Sequence, residues 1–257
     1  MPVRKAHLGD ALTSEWTKIR TVRSTLWTLA GTVVLMVGLG LAVAFGIAAT
    51  EPDLEEQPVL ALGFFGLLVS CVCVITLGTL TITSEFGTGL IRTTLTACPS
   101  RARMLTAKAI VLFALVFSLT TVLTVLVGAA QVGIVDQGSP SGDEWLRSTV
   151  GASLYVALLA LVALGVGAMV RHSAGAITVM TGLVLAPMVL ALFMFTPSLA
   201  GVQDALLTYS IPSQLAAVYD AEMSNGGPQG WAPLAIITVL AGASLAGGYA
   251  SLTARDV

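Results

Sequence analysis

Charged residues fall at wide intervals in this chain and leave six long runs without Asp, Glu, Lys or Arg: Ser24 to Thr50, Gln57 to Ser84, Ala109 to Val135, Ser148 to Val170, His172 to Gln203 and Met223 to Ala254. A charged side chain at a helix centre costs about 2.5–3.5 kcal/mol on insertion scales, and about 20 apolar residues cross the ~30 Å hydrocarbon layer, so such runs mark membrane-spanning helices. Trimmed of turn-forming Pro, Gly and Asn, the runs predict spans at 25–49, 59–83, 107–134, 148–170, 174–195 and 231–252. The stretch from Ala205 to Tyr219 is apolar but short and interrupted by Pro212. It reads as a re-entrant or interfacial segment within an outer region, 197–230, between spans five and six.

Composition agrees with a bilayer as solvent. Only 10% of the 257 residues are charged, against about 25% in soluble domains, while 56% are hydrophobic and the mean hydropathy is +0.91. The expected fold class is therefore an all-α integral membrane protein with six transmembrane helices, a single domain over 1–257. A net charge of −2 gives no basic surface for phosphates, which argues against nucleic-acid binding. Cys71, Cys73 and Cys98 lack metal-ligand spacing and read as inert thiols, so no metal site is expected. The N-terminus does not read as a removable signal peptide, because no apolar core precedes Arg23.

Lys and Arg remain on the cytoplasmic side of short loops. Arg4, Lys5, Lys18, Arg20 and Arg23 precede the first span; Arg92, Arg101, Arg103 and Lys108 lie between the second and third; Arg171 separates the fourth and fifth, and Arg255 follows the sixth. Arg147 alone falls on the other side, among Glu51, Asp53, Glu55, Glu56, Asp136, Asp143, Glu144, Asp204, Asp220 and Glu222. Both termini are expected in the cytoplasm. Gly38/Ala42, Gly40/Ala44, Gly182/Ala186 and Ala243/Gly247 are spaced for close helix packing.

Two cytoplasmic segments carry more pattern than a loop requires. Over 10–23, Leu12, Trp16, Ile19 and Val22 continue a helical row from Leu8 to Leu26, with Glu15, Lys18, Arg20 and Arg23 on the other faces and Asp10 as a candidate N-cap. This predicts an amphipathic helix on the inner leaflet, Trp16 at the interface and the cations against anionic lipid. In the second segment, 84–99, Leu90, Ile91, Thr94 and Leu95 share one side of a short helix that Pro99 ends. Gly87 and Gly89 permit the turn out of the membrane, and Glu85 is expected at that helix's start, where its charge suits the positive dipole end.

Enzymatic signatures are missing from the sequence. There is no G-x-x-x-x-G-K-[ST] phosphate cradle, so ATP hydrolysis is not expected of this chain. His7 and His172 are too far apart for a two-His metal helix or a triad, and neither a paired-Glu nor a G-x-S-G protease motif occurs in a span. The expected spans hold no carboxylate of the kind ion-coupled carriers keep at midplane. A transporter powered by a partner, a passive scaffold or immunity protein, and a solitary ion-coupled carrier are the readings the residues leave open.

The strings S-E-W-T-K-I-R-T-V-R-S-T-L-W (14–27) and E-F-G-T-G-L-I-R-T-T-L-T-A-C-P-S-R-A-R-M-L-T-A-K (85–108), with the terminal A-R-D-V, resemble the permease subunits of the type-two ATP-binding-cassette (ABC) exporter family, particularly those of actinobacteria. The middle string is the most specific, and Thr253-Ala254 depart from a tail that in the family often carries arginine. The resemblance implies a half-transporter in the bacterial cell membrane: two permease copies, identical or sister chains, with two separate ATPase subunits that hold ATP and Mg. By that likeness Glu15, Trp16, Lys18, Ile19, Arg20 and Arg23 belong to an interface helix. Glu85, Phe86, Gly87, Thr88, Gly89, Leu90 and Arg92 belong to a coupling helix seated on the ATPase. No cofactor is expected in this chain, and no residue is assigned to substrate, which by composition would be hydrophobic or amphipathic: a drug, an antimicrobial peptide or a lipid-like molecule.

Overall fold

A computed structural model describes residues 7–50, 58–91, 100–135, 139–194, 196–221 and 227–254. Helices account for the secondary structure among them, and six are long and apolar enough to cross a membrane. In chain order the helices are α1 (Leu8–Thr21), α2 (Arg23–Thr50), α3 (Gly63–Gly87, entered through a 3-10 turn at Val59–Leu62), α4 (Arg101–Val135), α5 (Gly142–Val170), α6 (Ser173–Leu192), α7 (Ala200–Thr208), α8 (Ile211–Val218) and α9 (Ala232–Ala254). Helix α5 is wound as a π turn over Arg147–Gly151.

Five of the six membrane-length helices outrun the expected spans, α2 by running from Arg23 to Thr50 rather than over 25–49. Helix α3 continues past 83 to Gly87, α4 begins at Arg101 rather than 107, α5 begins at Gly142 rather than 148, and α9 continues past 252 to Ala254. A charge ends a span only if it must reach water, whereas Glu85 at the end of α3 and Arg101 at the start of α4 meet partners within the protein. Glu144 at the start of α5 closes a capping box with Ser141, donating its N–H to Ser141 Oγ at 3.2 Å. Helix α6 instead stops at Leu192, short of 195.

The core centres on α5, which packs against α3, α4, α6 and α9. Small residues set the close approaches. A Cβ on Gly78 of α3 would lie 2.6 Å from the Ala160 carbonyl of α5, and one on Gly66 would lie 2.6 Å from the Met36 carbonyl of α2. Helices α2, α6 and α9 leave large apolar side chains outward, among them Trp27 at 76%, Val239 at 73% and Phe45 at 60% exposure. Side chains of that kind are stable outward only in an apolar medium, which agrees with a multi-pass membrane protein.

One end of the bundle gathers α1, the end of α3, the start of α4 and the end of α9; it is the terminal face. Arg171 Nη2 donates to the Ser251 carbonyl at 2.8 Å, Arg101 donates to the Leu252 carbonyl, and Ser173 Oγ donates to Thr83 Oγ1 at 2.9 Å. At the opposite, distal face, the outer region between spans five and six holds two short helices, α7 and α8. Ser210 caps α8 by accepting from the Ser213 N–H at 3.2 Å, and Pro212 occupies its first turn, where the missing N–H costs nothing. Helix α8 is buried, and an ion pair from Arg147 to Asp220 ties its far end to α5.

Candidate functional site

The site begins with the register of α1. His7 is its N-cap, and Asp10 sits one turn in, where its Oδ2 accepts the His7 N–H at 2.9 Å; Asp10 therefore completes the cap rather than being the cap residue. The apolar row expected on one face is divided: Ile19 is buried in the bundle, whereas Leu8, Trp16 and Val22 are exposed. Turned inward with Ile19 is Glu15, 6% exposed, and Lys18 stands at the edge of the same contact. Trp16 lies outside with the Arg20 guanidinium carbon 5.7 Å from its ring centroid, and Arg23 is the exposed first residue of α2.

Charge sets that register, because Glu15 of α1 is met by Lys108 from α4 and Lys18 of α1 by Glu85 from α3. Lys108 Nζ donates to Glu15 Oε2 at 2.8 Å, to Glu85 Oε1 at 2.7 Å and to the Thr81 carbonyl at 3.1 Å. Lys18 Nζ donates to Glu15 Oε1 and to Glu85 Oε1, both at 2.7 Å. Two acids and two bases thus form a neutral cluster joining three helices. Lys108 is 1% exposed and Glu85 4%. Buried ions need this pairing, since each loses water's solvation. Glu85 Oε2 remains buried without a hydrogen-bond partner.

Burial pulls the Lys18 ammonium down, but hydrogen bonds and charge from Glu15 and Glu85 outweigh it and hold the group above its ordinary value of 10.5. A lysine raised in the folded state stabilises fully below its unfolded pKa and loses that contribution as pH rises through the folded one. Helix α1 is therefore expected to stay docked through neutral and mildly alkaline pH and to loosen only above about 10.5. A spin label at Ser14, in a chain whose native cysteines are replaced, reads this directly; release on acidification from pH 8 to 6 would contradict it.

Glu85 does not stand at the start of a helix. It lies in the last turn of α3, whose end is closed by the Thr88 N–H and hydroxyl, both bonded to the Ser84 carbonyl at 3.1 and 2.7 Å. The expected dipole contact at a helix start therefore does not form, and the lysines replace it. The reversal of direction falls at Gly89, with φ +71°, while Gly87 is still helical. Phe86 faces Arg171, whose guanidinium carbon is 5.1 Å from the ring centroid. Beyond the turn Leu90 is 54% exposed and Ile91 is buried. Arg92, Thr94, Leu95 and Pro99 lie outside the described residues.

Lys108 was the member that periodicity missed. It counted as one of several loop cations, although it falls inside the span expected at 107–134. An ionisable residue there calls for a named partner, and that rule would have pointed from Lys108 to Glu85.

A second feature lies in the membrane-spanning part. Helices α3 and α6, with Pro212 of α8, border a cleft of about 220 Å³ lined mainly by apolar groups that include Leu68, Cys71, Val72, Val184 and Met188. Cys71 thus borders this cleft. Among the described residues no group of His, Cys, Asp and Glu is arranged to hold a metal ion. No protein-family model matches the chain, and no curated protein matches it.

Proposed function

We propose that this chain is the permease subunit of an ATP-driven exporter of the type-two ABC kind. Two such permeases would sit in the bacterial cell membrane with both termini cytoplasmic, bound to separate ATPase subunits that carry ATP and Mg. The observation that carries this reading is the Glu15–Lys18–Glu85–Lys108 cluster. The family resemblance implies an ATPase-coupling segment at 84–99, and the cluster fastens the root of that segment to α1 and α4. Force applied beyond Gly89 would reach α1, α3 and α4 together, because moving one alone strands buried charge. Trp16 and Arg20 on the outward side of α1, with Arg23 at the start of α2, suit an anionic inner leaflet.

The lack of a phosphate cradle in the sequence assigns nucleotide hydrolysis to a partner. ATP could then drive outward opening only by binding one conformation better than the other. The cleft between α3 and α6 has walls suited to a hydrophobic or amphipathic cargo.

The test is purification of the tagged chain in mild detergent from its native host, with identification of what accompanies it. A stoichiometric Walker-motif protein whose ATPase activity responds to candidate substrates supports an exporter. Leu90→Asp, at an exposed position just past the turn, is expected to lower the amount of ATPase retained at least tenfold while leaving the melting temperature of the isolated permease unchanged. A preparation that carries no ATPase, from cells that express a neighbouring one, would move the reading to a scaffold or immunity protein.

A further inference from the structure

The geometry points to a site for one bound water molecule between α2, α3, α4 and α5, near the distal face, held by the side-chain oxygen of Gln131. Gln131 of α4 is fully buried, and its Nε2 donates to the Gly40 carbonyl of α2 at 3.1 Å. That bond fixes the amide orientation, because the flipped amide would aim oxygen at oxygen. Oε1 is thereby turned to the other side, where it has no hydrogen-bond partner. There it meets a pocket of about 10 Å³ whose lining includes Gly63, Thr124, Ser148, Thr149 and Tyr219.

Three features suit water rather than another occupant. The volume is about that of one water centre and leaves no room for a larger ligand. Hydroxyl-bearing side chains surround it, so a water donating to Oε1 finds further partners, as buried waters require. No carboxylate lines it, which disfavours a cation. Ser148 and Thr149 belong to the π turn of α5, so the water would stand where that helix departs from regular winding. It would give α4 and α5 a shared partner that exchanges as the helices shift.

Gly63 supplies the test. Its backbone has ordinary helical angles, φ −68° and ψ −20°, so alanine fits the chain there. An alanine Cβ would stand 3.4 Å from Gln131 Oε1 and 3.9 Å from the Tyr219 ring, in the space the water needs. In a wet pocket, Gly63→Ala expels the only donor to a buried oxygen, and the melting temperature falls. In a dry pocket the same methyl fills a void and favours the helix, and the melting temperature rises.

Gly63→Ala is expected to lower the melting temperature by several degrees in the native chain and not in a Gln131→Leu chain, whose pocket wants no donor. A rise in the native chain, or an equal fall in both, would overturn the proposal. Should Gln131→Leu fail to fold, a map of the native protein at a resolution that shows solvent decides: density within hydrogen-bond distance of Oε1 supports the site, and its absence there refutes it. Neither readout depends on an ATPase or on transport.

Discussion

Replacing Lys108 by methionine is expected to cost the folded protein about 3–5 kcal/mol, the usual penalty for removing one partner of a buried ion pair. Methionine fills much of the same space, so the loss is one of charge. Without the ammonium, Glu15 and Glu85 face each other at 6% and 4% exposure, with Lys18 alone between them, and the Thr81 carbonyl loses its side-chain donor. Lys18→Met should cost less, about 1 kcal/mol, because the Lys18 side chain is 37% exposed and water already shares its charge. Adding Glu85→Gln to Lys108→Met should return part of the loss, since it removes one of the stranded carboxylates. Unfolding of Lys108→Met, Glu85→Gln and the double variant in detergent and denaturant, read as a double-mutant cycle against the native chain, gives the coupling. A Lys108→Met protein as stable as the native one would mean that the cluster does not hold the helices.

How far the sequence carries can be judged at this same cluster. The positions of the spans were legible because the cost of a lone charge in hydrocarbon is large against every competing signal. Two of their ends were not, because Glu85 and Arg101 meet partners inside the protein and no longer mark water. The facing of α1 was misjudged for a related reason. Apolar spacing put Trp16 and Ile19 on one side, but Lys108 of α4 draws Glu15 inward and Glu85 of α3 draws Lys18, and local periodicity carries no information about distant partners. Glu85 and Lys108 lie in one continuous stretch of sequence, yet they meet only because α3 and α4 are antiparallel neighbours. The place of Gly63 beside Gln131 likewise depended on the fold.

The glycines give the second large effect. Gly182 and Gly165 look alike in sequence, each a glycine within an apolar helix, and the spacing pairs Gly182 with Ala186 as a packing stripe. The structure separates them: a Cβ on Gly182 would have no heavy atom within 4 Å, whereas one on Gly165 would lie 2.5 Å from both the carbonyl carbon and oxygen of Ser244. Backbone cannot step aside as a side chain can, so Gly165→Ala must push α9 away from α5. It would also strain the hydrogen bond from Ser244 Oγ to the Val162 carbonyl, 2.8 Å long and buried. Separation would open the neighbouring contact where a Cβ on Gly248 would meet that of Ala168 at 3.2 Å. The expected cost is about 1–3 kcal/mol, the range for overpacking a tight interior. Gly247→Ala should cost less, because the atom in its way, 2.8 Å off, is the movable sulfur of Met169. Gly182→Ala should be neutral or stabilising by up to about 1 kcal/mol, since alanine is the better helix former. Melting temperatures of the three variants test the order. If Gly182→Ala proved the most damaging, the outward face of α6 would be packed against another chain, and the small-residue stripe would have recovered the meaning its spacing suggested.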